Sequence, residues 1–200
     1  MSELIATTQG KNTFKEVSPG MHKARCVRVI DLGTQRQEFS GEVSWKRQVL
    51  IIWEVPEETY NEMPMTISKF YTLSLHEKSN LGADLTSWRG RAFTEIEKQG
   101  FDISKLVGSP CLLNVIENEK GRMKIKNVLP ETKAERTPAQ VHPSLFFSLD
   151  EFQKGNRDTF EELSDGIQNI ILKSKELEGV NIDMGDENNG ADLESDDVPF

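Results

Sequence analysis

The stretch VSWKRQVLIIWEV, residues 43–55, is dense in β-branched, aliphatic and aromatic residues and free of Gly and Pro. It predicts a strand, which Pro56 is expected to end. Its parity is mixed. Odd positions run Trp45, Arg47, Val49, Ile51, Trp53, and even positions run Lys46, Gln48, Leu50, Ile52. Each face passes from polar to apolar midway, the pattern of a bent or bulged strand. Trp53, inside the apolar run, belongs to a core.

Working outward, residues 21–32 follow the Pro19-Gly20 break and read as a preceding strand. Residues 33–42, with two glycines and three charges, read as a loop. Residues 65–75 alternate through Ile67, Tyr71, Leu73 and Leu75 and read as a third strand. Residues 76–107 lose this alternation; short helices are expected at 84–88 and at 104–107, the second closed by Gly108. Residues 110–117 and 122–129 are two more strands joined by the turn Asn118-Glu119-Lys120-Gly121. Three strands, a helical insert and a hairpin make the order of an all-β, five-stranded OB-fold barrel, whose helix lies between strands 3 and 4. An SH3-like barrel also has five strands but has no use for the long insert.

Beyond the barrel the composition shifts. Thr137-Pro138 and His142-Pro143 read as linker, and Ser148-Leu149-Asp150-Glu151 as a capping box before Phe152. Residues 158–172 place Phe160, Leu163, Ile167, Ile170 and Ile171 at helical spacing, and Gly166 favours two short helices over one. These helices either pack on the barrel or dock a partner. Residues 183–200 hold seven acids and no base, and are expected to be disordered. The organisation is therefore a barrel over residues 1–136, a linker and short helical segment over 137–182, and an acidic interaction tail over 183–200.

Charge follows the same division. The net charge is −9, yet residues 1–136 carry 20 Lys/Arg against 18 Asp/Glu, and residues 137–200 carry 4 against 15. A mildly basic body with an acidic tail fits a polyanion binder. Cys26 and Cys111 sit in apolar runs and read as small buried hydrophobes. His22, His76 and His142 share no metal-ligand spacing, and phosphate-loop and nucleophile-elbow motifs are missing, so neither a metal site nor an enzyme is expected. No apolar run is long enough to span a membrane and no signal pattern opens the sequence, so a soluble cytoplasmic chain is expected.

In the body, aromatics alternate with bases: Trp45-Lys46-Arg47, Lys69-Phe70-Tyr71 and Trp88-Arg89-Gly90-Arg91, with Arg25 and Arg28 in the first strand and Lys124 and Lys126 in the fifth. Single strands present a phosphate at every nucleotide and exposed base faces, and bases beside aromatics match both. Arg25, Arg28, Trp45, Lys46, Arg47, Lys69, Phe70, Tyr71, Arg89, Arg91, Lys124 and Lys126 are thus the candidate contacts to single-stranded DNA. Phe70 ranks high because Ser68, Thr72 and Ser74 share its face. Trp88 with Phe93 reads equally well as the anchor of the insert. In the tail, Asp196-Asp197-Val198-Pro199-Phe200 sets an apolar ring after the acids, which suits a pocket with an apolar floor and a cationic rim.

That tip resembles the acidic tip of bacterial single-stranded DNA-binding proteins. Further residues resemble a bacteriophage family of such proteins: Phe70-Tyr71-Thr72-Leu73-Ser74-Leu75, Lys78-Ser79-Asn80-Leu81, Trp88-Arg89-Gly90-Arg91, Phe101-Asp102-Ile103, Gly108-Ser109-Pro110-Cys111, and Phe147-Ser148-Leu149-Asp150-Glu151-Phe152 with Phe160-Glu161-Glu162-Leu163. The resemblance covers about residues 20–175 and the tip. It implies an OB fold, coating of single-stranded DNA in phage replication, recombination or repair, no cofactor, and docking of replication, recombination or repair proteins on Asp196, Asp197, Pro199 and Phe200, with Val198 completing the tip. Self-association is left open. A protein-binding adaptor and a strand-annealing factor are the rival readings.

Overall fold

The computed structural model describes residues 15–132 and 136–180; the acidic tail and its tip lie outside them. The fold is mostly β. β1 (Gly20–Phe39), β2 (Glu42–Tyr60) and β3 (Met63–Thr72) come first. Helices α1 (Asn80–Arg89) and α2 (Glu95–Gln99) and a 3-10 turn (Ile103–Leu106) follow, then β4 (Pro110–Glu117) and β5 (Met123–Leu129). The short β6 (Leu145–Phe147), helices α3 (Leu149–Gln153), α4 (Asp158–Glu161) and α5 (Asp165–Leu172), and a 3-10 turn at Lys175–Leu177 close the described chain. The strands form one open sheet in the order β3-β2-β1-β4-β5, antiparallel along that path, with β6 joining β1 in parallel.

The bend inferred for 43–55 exists, but β1 supplies it. Cys26 pairs Trp53 while Arg28 pairs Ile52, and Asp31 pairs Val49 while Gly33 pairs Gln48, so Val27 and Leu32 are the extra residues. Each bulge adds twist and lets β1 feed two cores. Ala24, Cys26 and Val29 enter one; Val27, Ile30 and Leu32 enter the other. β2 passes between them, with Val49, Ile51, Trp53 and Val55 in the first core and Leu50 and Ile52 in the second. A strand covered on both faces needs the continuous apolar run that its sequence shows.

Residues 33–42 are not a loop. β1 runs on to Phe39, and Thr34–Phe39 pair with Glu42–Arg47 as a polar two-stranded ribbon turned by Ser40-Gly41. Gly33 allows this. Its φ is +71°, and a Cβ there would lie 2.6 Å from Ser174 Cβ and 2.7 Å from Leu149 Cδ2. Pro56 does not end β2 either. It falls where the β2–β3 register shifts between Val55 and Thr59, a place where no ladder N–H is required. β3 stops at Thr72, short of the expected residue 75, although one further bond, from Leu73 N–H to the Arg47 carbonyl at 2.8 Å, follows the ladder.

α1 is longer than the five residues predicted. Ser79 caps it, accepting from Gly82 N–H at 3.0 Å. Its Leu81, Leu85 and Trp88 enter the first core, where the Trp88 ring lies 6.0 Å from Trp53. Trp88 is thus the anchor of the insert, and its indole N–H donates to Pro110 O at 2.8 Å. Cys26 and Cys111 are buried free thiols, and burial pushes both above the usual thiol range.

The C-terminal segment packs as a layer over the second face of β1 and β2. Phe147, Phe152 and Phe160 stack at 4.5–5.9 Å between centroids and join Leu50, Ile52 and Leu32 in the second core. The expected helix pair over 158–172 is present as α4 and α5. Residues 137–143 lead into this layer under restraint. Glu54, fully buried on β2, accepts from Val141 N–H (3.1 Å), His142 N–H (2.6 Å) and His142 Nδ1 (2.7 Å). Among the described residues no helix is long and apolar enough to cross a membrane.

Candidate nucleic-acid interface

Lys46 and Gln48 of β2 come together with Phe70 and Thr72 of β3, where Gln48 pairs Thr72 across the ladder. The structure opens a groove of about 480 Å³ there, between the β1–β2 ribbon and the segment entering α1. Its walls carry Gln37, Lys46 and Gln48 on one flank and Ser74, His76 and Lys78 on the other. Phe70 lies between them with 42% of its surface exposed. Among the described residues, none of the lining side chains is acidic. Among the described residues Lys46 has no hydrogen-bond or ion-pair partner, so its charge is available to a ligand.

The far wall is stiff. Ser79 Oγ reaches Ser74 O (2.6 Å) and His76 O (2.7 Å). A Cβ on Gly82 would come within 2.7 Å of His76 O, so only glycine lets the helix start this close. Lys78 N–H donates to His76 Nδ1 at 3.1 Å, which leaves Nε2 as the protonated nitrogen of the neutral ring. Beneath the groove Tyr71 is buried, and its hydroxyl donates to Asp84 Oδ2 at 2.7 Å. Burial, then the Asp84 carboxylate, pushes the Tyr71 hydroxyl well above its usual range.

Of the twelve residues predicted to touch DNA, Lys46, Phe70 and Tyr71 line this groove, and Tyr71 is corrected to a core residue. Strand alternation inside Lys69-Phe70-Tyr71 leaves only the middle residue facing out. Lys69 turns the other way and pairs with Asp84 at 2.7 Å. Arg47 is also engaged internally, with Asp31 on β1 and with Asp150 on α3 at 3.2 Å. The Asp31 bond outweighs desolvation and raises the Arg47 pKa. Arg25 donates to the carbonyls of Gly108 (2.6 Å), Thr137 (3.3 Å) and Pro138 (3.2 Å), tying the chain after β5 to β1.

Arg89 and Arg91 both pair with Glu97, and the Arg89 guanidinium lies 4.2 Å from the Phe93 ring centroid. Arg89 therefore holds the insert together. Glu97, capped by Thr94 N–H as well, is held far below the usual carboxylate range, chiefly by its hydrogen bond from Arg91. Arg28 is half-buried on β1, opposite Leu145 of β6. Lys124 and Lys126 are exposed on β5 either side of buried Ile125, outside the groove lining. Trp45 is 45% exposed but faces away from Lys46, and the Lys175 ammonium lies 5.6 Å from its ring centroid.

Sequence reasoning did not single out Gln37, Gln48, His76 or Lys78. They lie in polar stretches with no pattern that singles them out, and only the fold collects them around Phe70. The tip residues Asp196, Asp197, Val198, Pro199 and Phe200 lie outside the described residues. A scan against protein-family models matches no family, and a search of curated proteins finds no relative.

Proposed function

We propose that this chain binds single-stranded DNA without sequence preference, coats it during phage replication, recombination or repair, and recruits partner proteins through its acidic tip. The observation that carries this reading is the acid-free groove in which an exposed Phe70 lies between Lys46 and Lys78. A ring there accepts any base by stacking, and the lysines accept phosphates on either side. The carboxamides of Gln37 and Gln48 both donate and accept, so they serve any base edge.

The sheet order supports an OB-type barrel. β3 and β5, the two ends of the path, approach within 8 Å between Cα atoms, and α1 packs against both. OB folds bind oligonucleotides on the strand 2–3 face and the adjoining loops, which is where the groove lies. The resemblance to phage single-stranded DNA-binding proteins points the same way.

Phe70→Ala is the direct test. Loss of one stacked base costs about 1–3 kcal/mol, a rise of roughly 5- to 150-fold in Kd for fluorescent oligo-dT. The folded state tolerates the change because Phe70 is already 42% exposed. Unchanged affinity in a folded Phe70→Ala protein, or equal affinity for duplex and single strand, refutes the reading. Deleting Phe200 should leave oligo-dT affinity intact and abolish pull-down of replication or repair proteins. If capture persists, the tip is not the docking element.

A further inference from the structure

The β1–β2 ribbon extends past β3. The β2–β3 ladder begins at Gln48, and toward Glu42 the outer edge of β2 has no partner strand among the described residues. Lys46 and Trp45 are consecutive at this free edge and face opposite sides of it. On the Lys46 side lies the groove. On the Trp45 side lies a second aromatic–cation pair that the groove does not use: an indole 45% exposed, with Lys175 Nζ 5.6 Å from its centroid.

Lys173 and Lys175 are both exposed, and neither has a carboxylate partner among the described residues. Two acids of this region are engaged elsewhere. Glu176 accepts from Thr34 N–H (2.7 Å) and Thr34 Oγ1 (2.6 Å), and Glu38 pairs with Arg36 at 2.9 Å. Glu176 and the Gln35–Ile170 bond at 2.9 Å also hold the C-terminal turn against β1, which fixes Lys175 over the ring. Two exposed rings, Phe70 with Lys46 and Lys78 and Trp45 with Lys175, lie on the two sides of an open strand edge and form one track for a polyanion with stackable bases.

We propose that a bound single strand leaves the groove at Lys46, crosses the free edge of β2 and continues onto a second subsite formed by Trp45 with Lys175. This rests on the groove reading and extends it. The crossing has a minimum length. Short strands therefore occupy the groove alone, and longer ones reach both subsites.

The test uses intrinsic fluorescence of the full chain with oligo-dT of about 4 to about 16 nucleotides. Trp53 is fully buried and Trp88 is 8% exposed, so iodide quenching among the tryptophans reports Trp45. Long strands should shield Trp45 from iodide, and the shortest that bind should not. Lys175→Glu should weaken long strands about fivefold or more and leave short ones within twofold. Iodide access to Trp45 that persists under saturating long oligo-dT overturns the second subsite, as does a Lys175→Glu effect equal at all lengths. Phe70→Ala and Lys46→Glu separate this from failure of the groove itself. If both leave binding unchanged at every length, the groove reading falls and this inference with it.

Discussion

Arg47 and Lys46 are adjacent cations that the structure assigns opposite work, and Arg47→Ala separates the two. Arg47 Nε donates to Asp31 Oδ1 at 3.2 Å, and the same guanidinium reaches the second Asp31 oxygen and Asp150. The Asp31 side chain is only 13% exposed, and its other donor is Gly33 N–H at 3.1 Å. Removing the guanidinium leaves that carboxylate under-bonded at the bulge, a cost of about 1.5–3 kcal/mol. The Asp150 contact adds under about 1 kcal/mol, because that carboxylate is 65% exposed. Since 36% of the Arg47 side chain is itself exposed, solvent screening brings the expected total to about 2 kcal/mol.

At roughly 2–4 °C per kcal/mol for a chain of this size, Tm falls by about 4–8 °C. Adding Asp31→Asn to Arg47→Ala should recover part of the loss, because the unpaired charge is gone while the Gly33 N–H keeps its acceptor. In salt-dependent oligo-dT titrations Arg47→Ala should keep the parental log–log slope. Lys46→Ala should lower the slope by about 0.7 and leave Tm unchanged. An Arg47→Ala protein with parental Tm and a flattened salt slope would refute this assignment, because the guanidinium would then be serving phosphate rather than Asp31.

Glu54→Ala removes the acceptor of three bonds that tether residues 141–142. It should cost about 3 kcal/mol or more in urea unfolding and expose residues 137–143 to protease; parental cleavage rates would show the tether to be dispensable. At Glu176, burial acts to raise the carboxyl pKa, but the Thr34 bonds outweigh it and hold the group below its usual range. Its stabilisation is therefore present above the unfolded carboxylate pKa and is lost as pH falls through the folded value. Glu176→Gln should be less stable than the parent at neutral pH, with the difference shrinking toward about pH 3; a pH-independent difference would rule out the carboxylate as its source.

Much of the fold was legible from short-range pattern. Trp53 stood out as core from its apolar run, the 110–129 hairpin from its turn residues, and α4 and α5 from Phe160, Leu163, Ile167 and Ile171. Residues 33–42 misled because Thr34, Gln35, Arg36 and Gln37 look like loop residues. They pair backbone to backbone in a solvated ribbon that needs no apolar face. Arg25, Arg47, Lys69, Arg89 and Arg91 looked alike as free cations beside aromatics. The structure binds Arg25, Arg47 and Lys69 to carbonyls or carboxylates such as Thr137, Asp150 and Asp84, well separated in sequence, and Arg89 and Arg91 to Glu97 across the α1–α2 turn; no short-range pattern marks such partners.

What the sequence determined by itself was whatever depends on neighbours along the chain. That covers the alternation that turns Phe70 outward, the turns and caps that bound the elements, the buried character of Cys26 and Cys111, and the charge division between body and tail. What only the tertiary structure decided was which cations remain free and which faces remain open. The two bulges in β1 send adjacent residues into separate cores, and the C-terminal layer covers one face of β2 and brings Lys175 over Trp45. The same packing gathers His76, Lys78, Gln37 and Gln48 around one ring. Those outcomes follow from contacts between residues tens of positions apart, whose energies no local periodicity encodes.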